Sequence, residues 1–152
     1  MIKELTMSCL FIFISISTTF SQYQAKTDLK NRGIAKIIEN DQVLAKSFRE
    51  EAVYTIEYLN QLELELKGYA SFSFEEKGST AEKIYKLVSG RFKEKSPQPV
   101  SFTTLKGVIR FEYGLSEADS IVVRLAQYNL NKTIEAYSIY LTKANLKQLF
   151  DQ

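Results

Sequence analysis

The most regular pattern of hydrophobic and polar positions lies in residues 61–76, QLELELKGYASFSFEE. Apolar side chains or glycine occupy every second position from Leu62 to Phe74, and charged or polar side chains fall between them. Successive side chains of a strand point to opposite faces, whereas a helix would scatter these residues around its surface. The pattern therefore predicts one long half-buried strand, bent at Gly68, whose apolar face the rest of the chain must cover.

Two helices are predicted before this strand. The first begins near Asp28, which can cap it, and its apolar side consists of three isoleucines up to Ile38. Asn40 and Asp41 then interrupt the pattern. The second helix covers residues 44–59, where apolar side chains recur at steps of three and four residues.

A third helix and four strands are predicted after the long strand. Ser79-Thr80-Ala81-Glu82 matches a capping box, and Pro97 and Pro99 end the helix that follows it. Further along, β-branched and aromatic residues alternate with polar ones, with a tight turn at residues 129–132. The predicted strands cover residues 100–105, 106–113, 120–128 and 133–142, and a short helix ends the chain within residues 143–152.

This order of elements predicts an α+β fold, in which N-terminal helices pack on a strongly bent, mainly antiparallel sheet of about five strands. The segment AEKIYKLVSGRFKEKSPQPVSFTTLKG, residues 81–107, and the strands after it resemble the cone-shaped NTF2-like fold. The resemblance is to small exported NTF2-like domains of Bacteroidetes-type bacteria, and cystatin-like domains share the plan of a helix on a bent sheet. The chain lacks the histidine of catalytic NTF2-like members, so the resemblance implies a fold rather than an activity.

The N-terminus has the composition of a secretory signal peptide. Lys3 precedes an apolar run, residues 9–16, and small residues at Thr19 and Ser21 fit cleavage before Gln22. The run is about half of the roughly 20 apolar residues that span a bilayer. We therefore expect a cleaved signal over residues 1–21, a single domain over residues 22–152, and a secreted or periplasmic location.

Composition excludes several chemistries. The chain has no histidine, and its one cysteine, Cys9, lies in the predicted signal peptide, so imidazole and thiolate sites and disulfides are excluded from the mature protein. The six glycines are isolated, which excludes a glycine-rich phosphate loop. A net charge of +2 gives no support for a nucleic-acid partner. We therefore predict no cofactor, no metal site and no catalytic residue.

The candidate ligand-binding residues are Arg124, Tyr137, Tyr113 and Glu135. Arg124 lies between apolar neighbours in a predicted strand. One hypothesis makes it an anion anchor on the concave face of the sheet, flanked by the two tyrosines. The alternative is an outward residue paired with Glu135, which lies diagonally across the strands if Tyr128 pairs with Thr133.

Three functions stay open on the sequence. The first is a non-catalytic exported domain that binds a small molecule or peptide in a pocket between sheet and helices. The second is an envelope protein–protein interaction module that uses the edge of the long strand. The third is a carboxylate-dependent hydrolase that uses Glu112, Asp119 and Glu135. The oligomeric state is not specified by any motif.

Overall fold

The computed structural model describes residues 32–66 and 68–152. The strands of this part of the chain form two four-stranded antiparallel sheets, and two short α-helices accompany them. The predicted signal peptide, residues 1–21, and the predicted helix start at Asp28 lie outside the described residues. Within the described ranges, no helix has both the length and the apolar composition needed to cross a lipid bilayer.

The first sheet is a meander in which each strand pairs with the next one along the chain. Asn40 and Asp41, between its first two strands, both have positive φ angles (49° and 61°). Two consecutive residues with positive φ are typical of the tight turn of a β-hairpin. The sheet consists of β1 (Arg32–Glu39), β2 (Gln42–Glu50), β3 (Val53–Leu59) and β4 (Tyr69–Glu75).

The two helices predicted before the long strand are wrong, because the described part of these segments forms β1, β2 and β3. Apolar side chains four residues apart share one face of a strand as well as one face of a helix, so the spacing within residues 44–59 fits both. The β-branched and aromatic run from Val53 to Tyr58 favours a strand. Glu51, at φ 51°, lies in the turn that joins β2 to β3.

The predicted long strand is confirmed only in its second half, which forms β4. Ala70, Phe72 and Phe74 of β4 are buried at alternate positions, as predicted. Residues Gln61–Leu66 instead form a short 3-10 helix whose leucines are exposed. The amide of Asn60 donates to the carbonyl of Gly68 (2.8 Å), which closes the β3–β4 hairpin and leaves the residues between them outside the strand pairing of either sheet.

The later elements agree with the prediction, with one difference in length. The last strand is four residues long; after it the amide of Ser138 donates to the carbonyl of Leu125 (2.9 Å), and Leu141 forms a bridge with Val123. The predicted third helix, the four strands and the C-terminal helix are thus confirmed. They are α1 (Thr80–Gly90), β5 (Val100–Thr104), β6 (Gly107–Leu115), β7 (Ile121–Asn129), β8 (Ile134–Tyr137) and α2 (Lys143–Leu149), and a 3-10 turn (Arg91–Lys93) follows α1.

The buried faces of the two sheets share one core that is rich in aromatic rings. Phe72 of β4 meets Phe111 of β6 edge to face, with 6.4 Å between ring centroids. Phe150, directly after α2, lies 6.5 Å from Phe111 and 6.3 Å from Tyr54 of β3. Aromatic pairs in this distance range add stability beyond the area they bury. The interior that was predicted to hold a pocket is therefore occupied by side chains of both sheets along these contacts.

The predicted fold class, N-terminal helices on a bent sheet of about five strands, is wrong. Eight strands form two sheets, and no α-helix precedes β4 among the described residues. The physical reason is that cover for the apolar face of β4 comes from a second sheet and from α2. A half-buried strand specifies that one face must be covered, and either a helix or another sheet can cover it.

A candidate binding face on the second sheet

The outer face of the second sheet carries a layer of arginine and tyrosine side chains. Residues of β6 and β7 alternate between the core and this face, since successive side chains of a strand point to opposite sides. Glu112 pairs in register with Arg124, and Ala126 pairs with Tyr137, so these positions share one face. We name the layer the tyrosine–arginine face. Its members are Arg110, Glu112, Arg124, Tyr128, Tyr137 and Tyr140.

Arg124 lies at the centre of this face. Its Nε and one terminal nitrogen each lie 2.9 Å from Oε2 of Glu112. Its guanidinium also lies over the ring of Tyr137 (4.7 Å to the centroid) and near the ring of Tyr140 (5.5 Å). Burial disfavours its charged form, but the hydrogen bond to Glu112 together with the charges of Tyr140, Glu112 and Tyr128 outweighs that effect, so the pKa of Arg124 is raised. Arg124 thus stays charged and is held in place from three sides.

Glu112 connects Arg124 to Tyr128 across the face. Its second carboxylate oxygen accepts a hydrogen bond from the hydroxyl of Tyr128. That hydrogen bond, together with partial burial and the negative charge, raises the pKa of Tyr128. Both oxygens of Glu112 therefore have partners within the face.

Arg110 lies beside this network with its charge less fully compensated. Its guanidinium stacks on the ring of Tyr128 at 4.9 Å, and its Nε donates to the hydroxyl of Ser101 (3.2 Å). Among the described residues it forms no ion pair with a carboxylate. Of the three charged groups on the face, two are cations and one is an anion, so a positive charge remains near Arg110.

The side chains of the face lie flat against the sheet. Ala126 points to this outer side, yet none of its surface is exposed. A Cβ atom added at Gly114 would approach the Tyr140 ring to 3.0 Å, so glycine allows that ring to pack directly on the backbone of β6. The result is a surface of tyrosine rings and guanidinium groups that covers the backbone beneath it.

Of the predicted site residues, the structure brings Arg124 and Tyr137 together and places the other two elsewhere. Tyr113 points into the core side, where its hydroxyl donates to the carbonyl of Val88 (2.7 Å) and burial raises its pKa. Glu135 is not the acid that pairs with Arg124, because Glu112 takes that place. The register assumed from the sequence is off by one residue at Tyr128, which pairs with Ile134, and by two residues beyond the irregularity in the ladder, where Ala126 pairs with Tyr137.

The three acids of the hydrolase hypothesis do not form one site. Glu112 is committed to Arg124 and Tyr128 in the middle of the sheet. Asp119 lies in the exposed β6–β7 turn, whereas Glu135 follows the β7–β8 turn at the opposite end of β7. Residues 32–66 and 68–152 also contain no group of three or more His, Cys, Asp or Glu side chains that could hold a metal ion.

The edge-strand hypothesis loses part of its surface. β4 is an edge strand of the first sheet, but the carbonyl of Ser71 already accepts a hydrogen bond from Nε2 of Gln127 on β7 (3.0 Å). The 3-10 helix removes the other half of the predicted edge. The edge of β4 that a partner strand could pair with is therefore shorter than the edge predicted from the sequence.

The predicted ligand-binding residues did not include Arg110, Glu112 and Tyr128. The signal was present, because the two predicted strands that contain these residues are joined by a short loop and therefore pair as a hairpin. In the observed register of that hairpin, Glu112 lies opposite Arg124. Tyr140 had no such signal, since it lies beyond the end of β8.

Comparison of the chain with protein-family models, with curated proteins and with solved structures finds no match. The resemblance to NTF2-like domains therefore stays a prediction.

Proposed function

We propose that the chain is a non-catalytic exported binding domain whose contact surface is the tyrosine–arginine face. The observation that carries the proposal is the stacking of two guanidinium groups on tyrosine rings across one flat, partly exposed sheet face. The partner class is a peptide or protein segment that presents a carboxylate beside an aromatic or apolar side chain. The proposal keeps the predicted binding role of Arg124 and Tyr137 and moves it from an enclosed pocket to the outer side of the sheet.

The composition of the face favours a protein or peptide over a small molecule. Tyrosine and arginine are over-represented among the residues that dominate the energy of protein interfaces. Sites for small ligands are usually concave and bury most of the ligand. The side chains of this face lie flat on Ala126 and Gly114 and offer a shallow surface instead.

The charges on the face specify the sign of the charge that a partner presents to it. Arg124 is neutralised by Glu112 at 2.9 Å, whereas Arg110 donates only to a neutral hydroxyl among its described contacts. A partner carboxylate can therefore approach Arg110 without displacing an existing ion pair. Charge-assisted hydrogen bonds of this type are about twice as strong as neutral ones.

The arginine side chains of the face are held in fixed conformations before binding, which favours this role. Arg110 and Arg124 are already held by stacking and by hydrogen bonds, so binding fixes few additional rotamers. Each rotamer-rich side chain that is ordered on binding costs roughly 0.5–1.5 kcal/mol. The face therefore loses less conformational entropy than an array of free side chains would.

The test is an NMR titration of the protein with two capped dipeptides, acetyl-Asp-Phe-amide and acetyl-Asn-Phe-amide. We expect the aspartyl peptide to shift backbone amides of β6, β7 and β8 and to bind at least threefold more tightly than the asparaginyl peptide. Arg110→Gln should remove that preference, and Arg91→Gln, an equal charge change beside α1, should keep it. Shifts confined to other surfaces, or equal affinity for both peptides, would overturn the proposal.

A further inference from the structure

One end of the molecule carries a set of exposed leucines. The 3-10 helix Gln61–Leu66 connects β3 to β4 at this end, and none of its residues is buried. Leu62, Leu64 and Leu66 expose 49%, 50% and 82% of their surface. Three leucines within five residues, all exposed, form an apolar patch on a segment that packing in the described chain leaves uncovered.

Two hairpin turns of the second sheet lie at the same end. Asn60 adjoins the 3-10 helix, and its side chain bonds to the backbones of Glu135 and Tyr137, which fixes β8 beside that helix. The β7–β8 turn directly precedes β8. Gly107, just after the β5–β6 turn, pairs with Asn129, just before the β7–β8 turn, so the two turns are neighbours. The two turns present Leu105 and Leu130, which are 87% and 73% exposed.

Charge divides this leucine-rich end into two halves of opposite sign. Glu63 and Glu65 alternate with the leucines of the 3-10 helix, and both are exposed. Lys106 and Lys132 lie in the two hairpin turns, and both are exposed. Within the described residues of the 3-10 helix and of the two turns, each half therefore combines leucine with one sign of charge.

We propose that the leucine-rich end is a self-association surface that joins two copies of this chain in a twofold dimer. In an isologous interface the same patch of each subunit meets its counterpart, so a surface with one acidic and one basic half can match itself. The 3-10 helix of one copy packs against the hairpin turns of the other. Leucines meet leucines, and the glutamates of one copy approach the lysines of its partner.

The charge arrangement favours a second copy over other occupants. An anionic membrane would be repelled by Glu63 and Glu65, which lie among the exposed leucines. A basic amphipathic peptide would complement the 3-10 helix but would be repelled by Lys132 beside Leu130. A second copy, rotated by a half turn, places its basic half against the acidic half of the first copy and its acidic half against the basic half.

The first test is sedimentation velocity of the purified protein from 1 to 200 µM. We expect a concentration-dependent equilibrium between monomer and dimer. Leu64→Asp and Leu130→Asp should each raise the dissociation constant at least tenfold. Leu115→Asp changes a comparably exposed leucine (68%) at the end of β6, at the other end of the second sheet, and should leave the dissociation constant unchanged. A monomer at every concentration, or an equal effect of Leu115→Asp, would overturn the proposal.

The second test reverses the charges. Lys132→Glu should weaken the dimer at least threefold, and Glu65→Lys should do the same. In the double variant each copy again offers complementary charges, so the dissociation constant should return toward that of the original chain. A double variant that is weaker than either single variant would exclude this pairing of the two halves. Circular dichroism of each variant verifies that the fold is retained.

Discussion

At the scale of single residues, Asn60 connects the two sheets. Only 1% of its surface is exposed. Its Oδ1 accepts from the amides of Leu62 (3.1 Å) and Tyr137 (3.2 Å), and its Nδ2 points to the carbonyl of Glu135 (3.4 Å). The 3-10 helix and β8 thereby satisfy backbone groups through one side chain.

Asn60→Ala should lower the free energy of unfolding by about 2–3 kcal/mol, because it leaves buried backbone donors without partners. Urea denaturation of both proteins measures the difference. Asn131→Ala, an asparagine exposed in the β7–β8 turn, is the matched control and should change stability by less than about 0.5 kcal/mol. Equal losses for the two variants would contradict the role of Asn60.

Tyr54 makes stability depend on alkaline pH. Its hydroxyl donates to the carbonyl of Leu149 (2.5 Å), and only 3% of the residue is exposed. Burial raises the pKa of Tyr54 from 10 to about 12, and the negative charges of Asp151 and Glu76 act in the same direction. The folded state thus favours the neutral phenol. Its stabilising contribution is fully present below pH 10 and is lost as pH rises through about 12.

We expect the free energy of unfolding to fall between pH 10 and pH 12, by about 1.4 kcal/mol per pH unit from Tyr54. Tyr54→Phe should flatten this slope and cost about 1 kcal/mol at neutral pH through loss of the hydrogen bond to Leu149. Urea denaturation at a series of pH values provides the measurement. The same slope in Tyr54→Phe as in the original chain would contradict the assignment.

At the scale of elements, the two helices begin in different ways. Thr142 caps α2: its side chain accepts from the amide of Asn145 (3.1 Å), and the Asn145 side chain accepts from the amide of Thr142. Ser79 precedes α1 in the left-handed region (φ 71°) and makes no capping bond, although its sequence matches a capping box. The carboxylate of Glu76 instead accepts from the amide of Ala81 (2.9 Å).

Thr142→Ala should lower the free energy of unfolding by about 1 kcal/mol, which is typical for loss of an N-terminal cap. Ser79→Ala should not show a comparable capping loss, because its hydroxyl caps nothing. Thermal unfolding of the two variants compares these starts directly. A cost for Ser79→Ala equal to that of Thr142→Ala would show that the serine caps α1 in solution.

The elements also show which sequence signals were sufficient. For β6 and β7, alternating apolar residues, β-branched residues and a short intervening loop all favoured strands, and both strands formed. For residues 44–59 the spacing fitted two periods, and the turn at Glu51 had no glycine or proline to mark it. In residues 61–66 the alternation was ideal for a strand, but the closed β3–β4 hairpin offers that segment no pairing partner.

At the scale of the whole molecule, aromatic contacts couple the two sheets. Phe72 belongs to the first sheet and Phe111 to the second, and their rings meet edge to face at 6.4 Å. Both side chains are almost fully buried. The sheets should therefore unfold together rather than as separate units.

A double-mutant cycle with Phe72→Leu and Phe111→Leu tests this coupling. We expect an interaction energy of about 0.5–1.5 kcal/mol, because each substitution removes the same ring contact. A second cycle with Phe72→Leu and Phe48→Leu, whose ring is on the other face of the first sheet, should be additive within about 0.5 kcal/mol. Additivity in both cycles would show that the contact between sheets contributes nothing specific.

The candidate site was only partly predictable, because its position depends on how the two sheets pack as well as on the strands themselves. Arg124 and Tyr137 could be placed together because their strands were predicted correctly. The side of the sheet on which they lie depends on what covers each face, and that was predicted wrongly. Their ligand-binding role, the secreted or periplasmic location and the signal peptide remain predictions.

The sequence by itself determined the chemistry and the local elements of the later half of the chain. Composition excluded histidine-dependent chemistry, and periodicity placed α1, the strands from β5 to β8, and α2. Only the tertiary structure decided that β4 is covered by a second sheet, that residues 61–66 leave their leucines exposed, and that Arg124 pairs with Glu112. Periodicity reports which side of an element is apolar, whereas the identity of the covering element depends on contacts between residues distant in the chain.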